Sequence, residues 1–155
     1  MIVESQVKRK FIALVADDDA NDLRLLRKAL PGNGLEVELF EVRDGEELVQ
    51  YLKGEGGFED RTKYPIPDLL LIDLKMPRMD GLQVLDWLRE HPEHAGMPKV
   101  MLSGSGLDQD VEEAYRRGAN TYFTKPTEFE RFQKLMRVTI DYWAMSERPH
   151  GSAGW

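Results

Sequence analysis

A chain of 155 residues is sized for one domain and can bury a single well-formed core. Its 28 acidic and 21 basic side chains give a formal net charge of −7, which argues against a nucleic-acid grip, because that needs clustered Lys and Arg to displace phosphate counterions. No cysteine is present, so disulfides, thiol chemistry and cysteine-based zinc sites are excluded, and no apolar run is long enough to span a bilayer. Residues 1–10 are charged and lack an apolar signal core, so a short N-terminal extension of a cytoplasmic protein is expected.

The first element is an all-apolar run, Phe11 to Ala16, ending in Asp17-Asp18-Asp19. Leu23, Leu26, Ala29 and Leu30 then recur at helical spacing, with Asp18 or Asp19 as cap and Pro31-Gly32 as stop. Leu35, Val37 and Leu39 alternate with acids, and Val42 follows, giving a strand with one more exposed face. Asp44-Gly45 turns into a short helix carrying Leu48, Val49 and Leu52, and the glycines, charges and prolines of 54–67 read as a surface loop. Leu69 to Ile72 is a third strand whose unbroken apolar character marks burial on both faces, and Asp73 stands at its carboxyl end.

Leu82, Leu85 and Leu88 mark a helix that ends near His91-Pro92, and residues 97–102 form a fourth strand closed by Ser103-Gly104-Ser105-Gly106. Val111, Ala114 and Tyr115 mark a fourth helix halting at Gly118; Thr121 to Thr124 is a fifth strand before Lys125-Pro126. A last helix covers about residues 128–144. Strand and helix alternating in this way imply an α/β fold, a parallel sheet covered by helices on both faces through right-handed crossovers.

Open α/β sheets bind their ligands beyond the carboxyl ends of the strands. That edge collects Asp17, Asp18, Asp73, Ser103 and Lys125. Three converging carboxylates repel one another unless a cation relieves them, and Mg²⁺ suits a few carboxylates together with water and phosphate oxygens. A carboxylate beside Mg²⁺, a lysine and a hydroxyl is equipment for phosphoryl transfer to aspartate.

These residues resemble the receiver domain of two-component response regulators. The resemblance rests on the acidic pair Asp17-Asp18, the context Leu71-Ile72-Asp73-Leu74-Lys75-Met76-Pro77-Arg78-Met79-Asp80-Gly81, Ser103, and Tyr122-Phe123-Thr124-Lys125-Pro126. It covers about residues 10–145 and implies a (βα)5 doubly wound, flavodoxin-like domain over 11–145, strand order 2-1-3-4-5, with a flexible tail at 146–155. It further implies that Asp73 takes a phosphoryl group from a histidine kinase or histidine phosphotransfer protein. Mg²⁺ would be held by Asp17, Asp18, Asp73 and the backbone carbonyl of Lys75, and Lys125 would pair with the acid and then the phosphoryl group. A cis peptide before Pro126 is common in the family. Ser103 and Tyr122 would carry the switch: the Ser103 hydroxyl donates to the phosphoryl group, and the Tyr122 ring turns into the vacated space.

Lys75, Gly104 and Ser105 border the acceptor and are expected to set how long the phosphoryl group survives. On the last helix, Phe129, Phe132, Met136, Ile140 and Trp143 share the stripe that packs on the sheet, whereas Leu135, Val138 and Tyr142 form a second stripe expected to touch a partner. The long loop before the third strand and the aromatic end near Tyr142-Trp143 are similar to regulators paired with bacterial phytochrome kinases, which implies a homodimer through the helix 4 to helix 5 region. With few residues beyond the receiver, the output is expected to be protein contact rather than catalysis. Two alternatives are a phosphorylation-independent binding module, whose usual mark is loss of an acid or the lysine, and an aspartyl-phosphate hydrolase, whose acid-x-acid pattern is broken here by Lys75. His91 and His94 lack a third ligand for a metal, and Ser103 to Gly106 lacks the Lys-Ser/Thr ending of a P-loop.

Overall fold

The computed structural model describes residues 10–30 and 35–147. The expected helix stop at Pro31-Gly32, the N-terminal extension and most of the expected tail lie outside the described residues. The elements are β1 (Phe11–Ala16), α1 (Ala20–Ala29), β2 (Val37–Val42), α2 (Gly45–Lys53), β3 (Leu69–Ile72), α3 (Gly81–Arg89), β4 (Lys99–Ser103), α4 (Asp108–Arg116), β5 (Thr121–Thr124) and α5 (Phe129–Met145), with a 3₁₀ turn at Pro92–His94. All strand pairings are parallel, in the order β2-β1-β3-β4-β5.

Strand alternation divides the core into two layers. Leu14, Ala16, Leu70, Ile72 and Met101 face α2 and α3, meeting Leu48, Leu52, Val84, Leu85 and Leu88. Val15, Leu69, Leu71, Val100 and Leu102 face the other way, against Leu23 and Leu26 of α1 and Phe132, Met136 and Ile140 of α5. Each fully buried side chain of this size contributes roughly 1.5–3 kcal/mol of transfer free energy. Since both faces are covered, β1 and β3 are buried at every residue, which explains their uninterrupted apolar sequences.

The helix starts follow local chemistry. Asp19 caps α1, its carboxylate accepting from the amides of Asn21 and Asp22. Asp44 caps α2, and Asp80 forms a reciprocal capping box with Gln83 at the start of α3. Gly81 is dictated by space: a Cβ there would collide with the carbonyl of Asp73 and lie 3.0 Å from the Leu74 Cα.

Two packing details differ from the sequence reading. In α3 the buried positions are Val84, Leu85 and Leu88, and Leu82 is only half-buried. Tyr115 of α4 is 47% exposed because only Ala114 of that helix reaches the core. The surface loop at 54–67 is held to the domain: Phe58 and Tyr64 pack on the buried Tyr51 ring at 5.1 and 5.9 Å, and the Tyr51 hydroxyl donates to the Pro65 carbonyl at 2.8 Å. No helix among the described residues is long and apolar enough to cross a membrane.

Candidate functional site

In the sheet register Ala16 lies opposite Ile72, so Asp17 and Asp73 leave β1 and β3 side by side. The Asp73 amide donates to the Ala16 carbonyl at 3.0 Å, extending the ladder one residue past the end of β3. Asp17 is buried, and its Oδ1 accepts from the Asp19 amide at 2.9 Å; Asp73 Oδ1 accepts from the Leu74 amide at 2.8 Å. Asp18 is exposed at the rim, yet one carboxylate oxygen from each of Asp17, Asp18 and Asp73 falls within 4.8 Å of the others. Such a set of hard oxygen donors suits a divalent cation of the Mg²⁺ type.

Lys125 enters from the other end of the sheet. Its amide donates to the Ser103 carbonyl at 2.7 Å, fixing the backbone just past β5, and its side chain reaches the central strands. The ammonium lies 2.8 Å from Asp17 Oδ2, 2.7 Å from Asp22 Oδ2 and 3.7 Å from Asp73 Oδ2. Asp17, Asp18, Asp73 and Lys125 are therefore gathered in one pocket, as their positions at strand ends predict. The peptide before Pro126 corrects an expectation: it is trans, the lower-energy form of an X-Pro bond, and no cis peptide occurs among the described residues.

Burial dominates the protonation behaviour of the two central acids. It raises the Asp73 carboxyl to about 6, with the Lys125 charge opposing and the Asp17 charge reinforcing the rise. Burial likewise raises Asp17, countered by its hydrogen bond from Lys125. For Lys125 burial acts in the opposite sense, disfavouring the charged form, but hydrogen bonds to Asp17 and Asp22 and the Asp73 charge outweigh it and hold the ammonium above its ordinary value. The lysine is thus a fixed positive charge, while Asp73 in the metal-free site is partly protonated in mildly acidic solution.

Ser103 ends β4 opposite Thr124 and is buried. Its hydroxyl oxygen accepts from the Ser105 amide at 3.1 Å, so its proton is free to be donated elsewhere. Gly104 is exposed, and a Cβ there would meet nothing within 4 Å. The Ser105 hydroxyl bonds Asp110 and accepts from the Leu107 amide, tying the loop to the start of α4. Half-buried Tyr122 donates its hydroxyl to the Ser105 carbonyl at 2.8 Å. Lys75 is exposed on the loop after β3.

Sequence reading missed Asp22, Asp44 and Arg78. Asp22 precedes Leu26 by four residues and so shares the sheet-facing side of α1, a spacing that could have revealed it. Beside it, a cleft of about 180 Å³ is lined by Asp22, Leu25 and Leu26 of α1 and by Phe129 and Phe132 of α5. Asp44 and Arg78 form an ion pair between the α2 cap and the loop after β3.

Other sequence features do not join the site. His91 stacks on Trp87 with ring centroids 3.9 Å apart, its Nδ1 2.7 Å from the Trp87 carbonyl, and His94 stacks on the same indole at 5.6 Å. On α5, Leu135 is half-buried, whereas Val138 and Tyr142 are 57% and 59% exposed.

The model of the response regulator receiver domain family matches residues 13–137. Response regulator Rcp1 of Synechocystis sp. is 30% identical over 132 residues, covering 85% of this chain and 88% of its own. Among solved structures, the phosphorylated cyanobacterial phytochrome response regulator RcpA superposes with a TM-score of 0.83 at 29% identity, covering 91% of this chain and 99% of that one. The Mn²⁺-bound form of Rcp1 gives 0.79 at 28% identity, covering 90% and 99%. With its sheet order, its acidic pocket and this match, the chain belongs to the response regulator receiver domain family.

Proposed function

We propose that this receiver accepts a phosphoryl group on Asp73 from a histidine kinase or histidine phosphotransfer protein and signals by protein contact, without turning over a substrate. The observation that carries this reading is the Lys125 ammonium standing 3.7 Å from Asp73 Oδ2 while held by Asp17. In the transfer, an Asp73 carboxylate oxygen forms the O–P bond as the N–P bond of a phosphohistidine breaks, and the departing imidazole takes up a proton. Asp73 must attack as the carboxylate, and Lys125 neutralises the oxygens of the incoming group. The carboxylates of Asp17, Asp18 and Asp73 and the Lys75 carbonyl would hold Mg²⁺, which supplies further positive charge to the phosphoryl oxygens.

Ser103 supplies the hydroxyl donor, and Tyr122 reports the change to the surface of α4, β5 and α5. Lys75, Gly104 and Ser105 control the approach of water to the phospho-aspartate; the open space at Gly104 supports this role. Exposure of Val138 and Tyr142 on α5 supports a homodimer through the α4 to α5 face, with residues 11–145 as the receiver unit. The likeness to a phytochrome response regulator supports a phytochrome-type kinase as donor and a cytoplasmic location.

Intact-mass measurement after treatment with acetyl phosphate and Mg²⁺ tests the reading. One added phosphoryl group is expected on the native chain and none on Asp73→Asn; equal modification of both proteins would remove Asp73 from the role. Lys75 and Ser105 substitutions should also change the rate of phosphoryl loss, and unchanged decay in both would exclude them as modulators.

A further inference from the structure

We infer that Asp22 is a positioning residue that holds the Lys125 ammonium on the α1 side of the unmodified pocket and competes for it with a phosphoryl group on Asp73. This rests on the reading of Asp73 as the acceptor. Asp22 lies in the first turn of α1, away from the strand ends that supply the other acids. Its Oδ2 accepts from Lys125 at 2.7 Å, as short a contact as the 2.8 Å bond to Asp17. Asp73 Oδ2, at 3.7 Å, is beyond hydrogen-bonding distance. An ammonium has three N–H donors, and two are taken by acids other than the acceptor.

The two carboxylates holding the lysine are not equivalent. The Asp17 side chain is 6% exposed and the Asp22 side chain 33%. Releasing a buried carboxylate from its cation leaves a desolvated charge, whereas a part-exposed carboxylate can be re-solvated by water. Asp22 is therefore the arm that lets go when new negative charge appears on Asp73, while Asp17 keeps its grip. The contact belongs to the unmodified state and weakens in the modified one, so it biases the equilibrium toward the unmodified state. The Asp22 charge also repels an incoming phosphoryl group directly. Both effects have the same sign: neutralising Asp22 favours the phosphoryl-bearing state.

The experiment is a beryllofluoride titration at saturating Mg²⁺ of the native chain, Asp22→Asn and Asp22→Glu. Asp22→Asn is expected to half-saturate at about fivefold lower beryllofluoride, and Asp22→Glu, which restores the charge, within about twofold of the native chain. Unchanged or weaker binding by Asp22→Asn overturns the inference, provided the native chain binds. A native chain that does not bind beryllofluoride overturns the Asp73 reading itself. A second measurement needs no variant: in the native protein, NMR should show a through-hydrogen-bond coupling between the Lys125 ¹⁵Nζ and the Asp22 ¹³Cγ, lost on adding Mg²⁺ and beryllofluoride. Its absence from the unmodified protein, or its persistence in the complex, contradicts the competition.

Discussion

Arg78, whose backbone adopts a left-handed φ of 67°, places its guanidinium on the carboxylate of Asp44, a side chain only 1% exposed. Asp44 Oδ1 meanwhile accepts from the Glu47 amide at 2.8 Å, so one buried acid caps α2 and anchors the loop that follows β3. The Gly45 amide adds a bond to the Met79 carbonyl at 3.0 Å. Arg78→Ala and Arg78→Gly both remove the ion pair, but only Gly takes the left-handed conformation without steric cost. Arg78→Gly should therefore be the more stable by about 1 kcal/mol in chemical denaturation. Equal stabilities would mean that the loop relaxes out of this conformation. Asp44→Ala should cost about 1–3 kcal/mol through loss of the cap and its charge partner.

Neutralising Asp73 should stabilise the metal-free protein at neutral pH. Burial raises the Asp73 carboxyl to about 6 from an ordinary 3.8, so the folded chain binds the proton more tightly than the unfolded chain does. The contribution of Asp73 to stability is thus fully present below about 4, falls as pH rises, and is lost above about 6. Asp73→Asn removes this loss, and at pH 7.5 without Mg²⁺ it should gain on the order of 1–2 kcal/mol, a rise in melting temperature of roughly 2–8 °C. The gain should shrink toward zero at pH 4. A difference that is the same at both pH values would show that Asp73 ionises normally.

Most of the fold was legible because β1 and β3 are buried on both faces and so are apolar throughout, with the acids beginning where the strands end. The site was legible for the same reason: Asp17, Asp73, Ser103 and Lys125 each follow or close a strand. Asp22 and Arg78 act instead through contacts that depend on how a helix or loop is carried to the sheet, which local pattern does not encode. Val84 took the core place that the Leu82 spacing suggested because Gly81, pressed on the Asp73 carbonyl, sets the rotation of α3. Tyr51 lies just ahead of a charged, glycine-containing loop, and its burial depends on Phe58 and Tyr64 folding back from that loop.

The bonds around Ser105 give α4 a start that its own sequence lacks, since Leu107 at the cap position offers no side-chain acceptor. Ser105→Ala should cost about 1 kcal/mol and speed amide exchange across residues 107–111. Tyr122→Phe, losing the bond to the Ser105 carbonyl, should cost a similar amount and loosen the same residues. Unaltered exchange there in both variants would show that the loop and α4 are held by other contacts.

The exposed stripe on α5 should carry self-association. Tyr142→Ser should weaken the dimer by about 1–2 kcal/mol, roughly a five- to thirtyfold rise in dissociation constant by sedimentation, and Val138→Asp should produce monomer. Both side chains already face solvent, so melting of the monomer should be little affected. A native chain that sediments as monomer with and without Mg²⁺ and beryllofluoride would remove the dimer from the account.

The most direct test of the whole account is a crystal structure of the complex with Mg²⁺ and beryllofluoride. The account predicts the beryllium on an Asp73 carboxylate oxygen, fluorines bonded by the Lys125 ammonium and the Ser103 hydroxyl, and the metal between Asp17, Asp18, Asp73 and the Lys75 carbonyl. Beryllofluoride elsewhere on the protein, or on Asp73 without contact from Lys125, would contradict it.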